Sequence, residues 1–309
     1  MPRLSQLDEV LFPVTQHPVF AMVRDDTGER HLPISTKKAI VNTRKGSVVG
    51  VVSLGYRLVT NREALNWGYE CCQTVFPETS PEEWQVEAAD APATGGHCFI
   101  DLIHNSATLD FSNVNASQRP EVYGPFIRVT NSYNGLRSLS FDIGFYRKVC
   151  KNGLILPQSV IKFRFSHQRS DIGSTLRFEV AHQKLDKLRT GFTSYLSVLR
   201  DVPVAQPFFE PLVLGVLLLR APNGMAPKTR EAQEWDSLKS DIKKLSKRYV
   251  DELGENAYAA FNAITEFASK PSNNRHIRRE RHSLQRLAGE WLTSFSTECR
   301  AQDFSIQAY

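Results

Sequence analysis

Long apolar runs are missing from these 309 residues. The longest, Leu212 to Leu219, has eight residues fenced by Pro211 and Pro222, well short of the ~20 that a membrane helix needs. No apolar stretch follows Met1-Pro2-Arg3, where Asp8 and Glu9 come early, so no secretory leader is expected. Cysteine is sparse: five residues, an odd number, with no CxxC pair. Free thiols and a reducing, cytoplasmic setting are the expectation, with no membrane partner. Also absent are a GxxxxGK(S/T) phosphate loop, GxGxxG, HExxH and a GxSxG elbow. The sequence therefore assigns no catalytic residue, no metal ligand set and no cofactor. What is present is average: 41% hydrophobic and 23% charged residues fit a globular chain and exclude a disordered, collagenous or coiled-coil one.

Charge is unevenly placed. The net is +5, yet from Glu63 to Glu121 ten acidic residues face one basic, Arg119, a net of −9. From Arg147 to Arg189 ten basic residues stand against three acids, a net of +7. From Lys270 to Arg286 six stand against Glu280 alone, a net of +5. Basic clusters hold phosphate-rich partners by releasing counterions. The plain alternative is that acidic and basic segments pair with each other or are solvated.

Asp25-Asp26-Thr27-Gly28 reads as a turn between strands Val19–Arg24 and Glu29–Ile34. Val48–Val52 and Tyr56–Thr60 are β-branched and apolar, hence strands. Asn61 is placed to cap a helix from Arg62 to about Val75. Pro77 to Gly96 reads as a surface excursion with a short helix at Pro81–Trp84. From Cys98 the period becomes two. Phe99–His104 and Thr108–Ser112 flank a hairpin turn at Asn105-Ser106-Ala107, and Phe126–Thr130 and Leu136–Phe145 flank Tyr133-Asn134-Gly135. Ile161–Phe165 and Thr175–Val180 form a further pair. From His182 to about Val202 apolar residues recur at helical spacing. Leu212–Leu219 is a buried strand or a buried helical turn; periodicity does not decide. Thr229–Leu253, Asn256–Ser269 and His276–Phe295 are helices, the first stopped by Gly254. The fold class is α+β: a largely antiparallel twisted sheet in the first two-thirds and a helical C-terminal third. Three regions result: 1–44, an extension with short strands; 45–202, a β-rich core with helices; and 203–309, helical.

Strand alternation places the charges. Lys162 and Arg164 oppose Ile161, Phe163 and Phe165; Arg177 opposes Leu176 and Phe178; Arg128 opposes Ile127 and Val129. As neighbours, these four would share one exposed basic face. Arg147 and Lys148 extend the cluster, and Arg275, Arg278 and Arg279 open the last helix. These are the candidate nucleic-acid contacts. The aromatics fall on the apolar face, as core rather than as stacking platforms.

Other candidates have plainer readings. His97 and Cys98 on a strand point to opposite faces and share no metal. His276 and His282 join the solvated face of the basic helix, Asp101 and Asp110 are exposed strand residues, and Cys71-Cys72 are packed thiols. Two clusters remain. Arg147-Lys148-Val149-Cys150-Lys151-Asn152-Gly153 reads as a strand ending in an Asn-Gly turn. Tyr258, Asn262, Thr265 and Glu266 fall at i, i+4, i+7 and i+8 on one helical face, either a packing network or a site.

Both clusters carry a resemblance. Thr130-Asn131-Ser132-Tyr133-Asn134-Gly135, followed by Phe145-Tyr146-Arg147-Lys148-Val149-Cys150-Lys151-Asn152-Gly153-Leu154, resembles the N-S-x-x-G … R-x-V-C-x-N-G block of a family of uncharacterised proteins carried by phages, prophages and plasmids. Tyr56 to Ala64 is similar to the family's N-terminal block, and the helix through Tyr258, Asn262, Thr265 and Glu266 to its C-terminal helix. The resemblance covers roughly residues 45 to 295. It makes Cys150, Asn152, Gly153, Tyr258, Asn262, Thr265 and Glu266 family-motif residues, implies a mobile-element origin, and supplies no catalytic residue.

The expected function is that of a mobile-element accessory protein binding nucleic acid, single-stranded DNA first, in recombination or annealing. The alternative is a protein-binding effector that counteracts a host defence complex, its acidic segment docking on a basic host or phage partner. A third class is an enzyme without a recognisable motif. A homo-oligomer is compatible with each.

Overall fold

The computed structural model describes residues 3–4, 6–26, 28–106, 109–110, 122–147, 152–155, 162–165, 167, 191–221, 224, 226, 228–271, 274, 276–277 and 279–301. They pack into two compact units, each drawn from separate stretches: Met1–Asn105, Phe126–Ile143 and Lys162–Gln183 in the first, Ser106–Pro125, Gly144–Ile161 and Lys184–Tyr309 in the second. Cuts at 44 and 202 divide the chain in sequence order, whereas these units follow packing.

The first unit holds two antiparallel sheets. One is formed by β2 (Val14–Asp25), β3 (Gly28–Asn42) and β4 (Ser47–Ser53). Asp25 pairs with Gly28 across the expected turn, where Gly28 takes φ 115, a left-handed value open to glycine. The strands run much further than the six-residue pair read from sequence. The other sheet has the order β1 (Arg3–Leu4), β5 (Trp84–Pro92), β6 (His97–His104), β8 (Val122–Ser132), β9 (Leu139–Arg147), with β11 (Lys162–Phe165) on β9. A one-turn helix, α1 (Leu7–Val10), precedes β2.

Helix α2 (Asn61–Val75) lies close on this second sheet. A Cβ at Gly68 would come within 2.5 Å of Val129 Cγ2, so glycine is what permits the approach. Thr60, not Asn61, caps α2: its hydroxyl accepts from Glu63 N–H while the Glu63 carboxylate accepts from Thr60 N–H. Tyr56–Thr60 is not a strand. This short stretch is irregular, with the Tyr56 hydroxyl donating to the Ser132 carbonyl. Pro81–Glu83 forms a single 3-10 turn.

In the second unit β7 (Leu109–Asp110) pairs with the start of β8, Tyr123 and Val122. The hairpin expected around Asn105-Ser106-Ala107 is therefore not made: β6 lies between β5 and β8. The end of β9 pairs with β10 (Asn152–Ile155), Asn152 opposite Arg147 and Gly153 opposite Tyr146. Asn152 and Gly153 are thus strand residues, not the turn. Helices follow: α3 over 191–201, α4 (Phe209–Val216), α5 (Arg230–Leu253), α6 (Ala257–Ser269) and α7 (Arg281–Ala301). The ambiguous apolar run is helical at α4. Thr229 and Asn256 cap α5 and α6 through their side chains, and Gly254 closes α5 at φ 85. Phe209, Val213, Leu238, Ile242, Ile264 and Leu284 are buried at the centre of one shared core. The chain is α+β: two antiparallel sheets, then a helical C-terminal third. No described helix is long and apolar enough to cross a membrane.

Candidate nucleic-acid interface

Two predicted contact residues are buried. Arg128 sits on β8 directly opposite Asp101 of β6 and is 1% exposed. Its Nε donates to Asp101 Oδ1 at 2.5 Å and its Nη2 to Oδ2 at 2.6 Å. Alternation correctly sets Arg128 apart from Ile127 and Val129, but both faces of β8 are covered, since Thr130 is buried as well. Asp101 is accordingly a buried ion-pair partner and not an exposed strand residue. Arg147 is also buried: Nη2 donates to Glu252 Oε1 at 3.1 Å and the guanidinium lies over the Tyr249 ring.

Lys162 and Arg164 stand opposite Asp142 and Ser140 in the β11–β9 ladder; their side chains lie outside the described residues. Lys148, Arg177, Arg275 and Arg278 also lie outside them, as does Thr175–Val180. Arg279 is exposed ahead of α7. His276 and His282 do not face solvent: both are buried, and His276 N–H donates to Asn274 Oδ1.

The motif residues fasten backbone. In the first unit the Asn131 side-chain amide donates to Val59 O (2.9 Å) and Asn61 Oδ1 (2.8 Å), Tyr133 Oη accepts Asn61 N–H (2.7 Å), and Asn61 Nδ2 donates to Val10 O (2.8 Å). The start of α2 is thereby tied to the end of β8. In the second unit Ser269 Oγ accepts Gly153 N–H at 2.9 Å and donates to Gly153 O at 3.1 Å. Tyr258 and Tyr123 hydroxyls meet at 2.9 Å, Asn262 Nδ2 donates to Tyr258 O, and Thr265 Oγ1 donates to Asn262 O. Glu266 accepts the Tyr249 hydroxyl and an Arg248 N–H. With Tyr258, Asn262 and Thr265 buried, the polar helical face is a packing network. Cys150 lies outside the described residues, and Asn152 is described only by its backbone.

Burial also quiets the thiols. It pushes Cys98 up to about 12 and holds Cys71 and Cys72 well above their ordinary value. Among the described residues no group of three or more His, Cys, Asp or Glu side chains is placed to hold a metal ion.

The feature that the sequence reading missed is the ribbon of β2 and β3. Because β4 pairs only with Lys37–Asn42, the stretch from Gly28 to Pro33 has β2 as its one strand partner among the described residues. Pro18 pairs with Lys38 and Phe20 with Pro33, so residues 34–37 bulge opposite Val19 and kink the ribbon. Residues 28–37 are all exposed, hence both faces are. Phe20 is 52%, Met22 57% and Leu32 51% exposed. Within the ribbon, Val14 to Asn42, four basic residues stand against three acids, a net of +1; Arg44, Lys45, Arg57 and Arg62, which follow β3, raise the net to +5. Two of these acids, Asp25 and Glu29, are paired at the tip with Arg30 and Arg24. Nearer the base, Lys37, Lys38 and Lys45 form no ion pair among the described residues. The basic count was available from the sequence, but a region read as an extension with short strands gave no reason to take it.

A mixed sheet-and-helix chain with an exposed two-stranded ribbon is the class defined by these observations. The chain belongs to the family described as a domain of unknown function, DUF932, whose model matches residues 48–289. The ribbon precedes the matched stretch. No curated protein and no solved structure matches the chain.

Proposed function

We propose that this chain is a nucleic-acid-binding protein of a phage or plasmid, acting in the cytoplasm, with the β2–β3 ribbon as its contact element and single-stranded DNA as its preferred partner. The observation that carries the reading is the ribbon itself: β3 is exposed on both faces from Gly28 to Lys37, Phe20 is 52% exposed, and Lys37, Lys38 and, in the turn after β3, Lys45 form no ion pair among the described residues. Lysines along a strand track release counterions. An exposed aromatic offers a face on which an unstacked base can lie. Contacts of these two kinds leave the Watson–Crick edges free, as strand annealing or recombination requires. The tip, where Arg24 and Arg30 are already paired with Glu29 and Asp25, contributes little charge.

Anisotropy of a labelled oligo(dT) over a salt series tests this. Binding should weaken with salt, and Lys37→Ala with Lys38→Ala and Lys45→Ala should flatten the log–log slope by about 2, from ~0.7 per phosphate contact. A melting temperature unchanged in that variant separates lost contact from lost fold. No binding to single- or double-stranded DNA or RNA at low salt would overturn the reading. The exposed Met22, Leu32, Val48 and Val51 would then favour the protein-binding effector.

A further inference from the structure

A concave surface in the second unit carries a different inference. A groove of ≈ 390 Å³ runs between the turn Gln206–Phe208 and α5. Pro207 and Glu210 line one side; Lys243, Lys244, Ser246 and Lys247 line the other. The helical spacing of Lys243 and Lys247 puts them one turn apart on the same side of α5. Lys243 Nζ is 3.1 Å from Glu210 Oε2 and Lys244 Nζ is 4.0 Å from Asp241, whereas Lys247 forms no ion pair among the described residues. Glu210 and Asp241 offset Lys243 and Lys244, and the Glu255 carboxylate is occupied by the Gln206 N–H, which leaves the Lys247 ammonium as the charge the groove offers.

Two further observations point to a ligand. Ser246 is 3% exposed and its Oγ has no hydrogen-bond partner among the described residues. A buried hydroxyl left so is costly, and it can rotate to donate to an anionic oxygen. Phe208, which follows the lining residue Pro207 in the chain, is 47% exposed, an aromatic surface open to solvent beyond the lining itself.

We infer that this groove binds a nucleotide, its phosphates on Lys244, Lys247 and the Ser246 hydroxyl, its base on Phe208 and Pro207. The site shares no residue with the ribbon and stands apart from the strand-binding proposal. A free nucleotide and the terminal nucleotide of a strand offer the same chemistry.

The test uses the full chain and fluorescent mant-ADP at low salt, with inorganic pyrophosphate and oligo(dT) as competitors. Saturable binding is expected, displaced by pyrophosphate. Lys244→Ala with Lys247→Ala should weaken it about tenfold or more, and Ser246→Ala several-fold, as lost charge-assisted contacts imply. Phe208→Ala should weaken mant-ADP while leaving pyrophosphate affinity unchanged. The ribbon variant at Lys37, Lys38 and Lys45 should bind mant-ADP as the parent does, so failure of one proposal is not failure of the other. Displacement by oligo(dT) names a strand end as the source; retention names the free nucleotide. Absent saturable binding, or equal affinity in a folded Lys244/Lys247 variant, overturns the inference.

Discussion

Asp101 and Arg128 show what burial does to charged side chains. Each would be costly alone in the interior, and the bidentate geometry compensates both. Asp101→Asn should therefore destabilise the chain by about 3 kcal/mol in denaturant unfolding, since it leaves a buried guanidinium without its counter-charge. Asp101→Leu with Arg128→Met should recover most of that loss. A single change costing under ~0.5 kcal/mol would mean that the pair is hydrated. His167 gives the pH counterpart. Its ring stacks on Tyr56 at 4.6 Å and burial lowers its pKa below the ordinary 6.5. Below that value the unfolded chain takes up a proton that the folded chain resists. The stabilisation is thus complete above pH 6.5 and is lost as pH falls from there through the folded pKa. His167→Gln should flatten the fall in melting temperature over this window; an identical slope would place the titration elsewhere.

At the scale of elements, the motif around Asn131 and Tyr133 acts as a fastening between β8 and the start of α2. Tyr133→Phe keeps the buried ring but strands the Asn61 N–H, one of the unpaired donors of a helix start. The expected loss is roughly 1–3 kcal/mol, read as a shifted denaturant midpoint with unchanged slope. A loss below ~0.5 kcal/mol would mean that water replaces the hydroxyl. Local chemistry made several elements legible in the sequence: Gly28 at its turn, Gly254 at φ 85, and the helices read as starting at Thr229 and Asn256, residues that cap them. These signals act within a few residues. Features set by distant chain were not legible. Arg128 alternates as an exposed strand residue would, yet its face is buried and Asp101 takes up its charge. Tyr56–Thr60 has strand composition, yet its polar groups serve β8 and His167 instead of a ladder. Gly153 follows an asparagine as a turn glycine does, but Ser269, 116 residues away, holds it in a strand.

At the scale of the whole molecule, the ribbon divides affinity into two parts. Its distal portion, Phe20–Asp25 with Gly28–Pro33, has only two strands, and its exposed positions add little to any core. Lys37 and Lys38 lie nearer the base, and Lys45 in the turn that follows β3. Replacing Phe20–Pro33 by Asn-Gly should therefore leave the melting temperature within a few degrees of the parent. Oligo(dT) affinity should fall roughly five- to a hundredfold, the worth of one stacked base at ~1–3 kcal/mol. The salt slope should stay nearly that of the parent, because the phosphate contacts remain. The triple lysine variant should show the reverse, a flattened slope with the stacking contribution retained. Unfolding of the shortened chain would show that the distal ribbon is part of the fold, and unchanged affinity would remove Phe20 from the interface. The two variants measured together assign stacking and charge to different ends of one element.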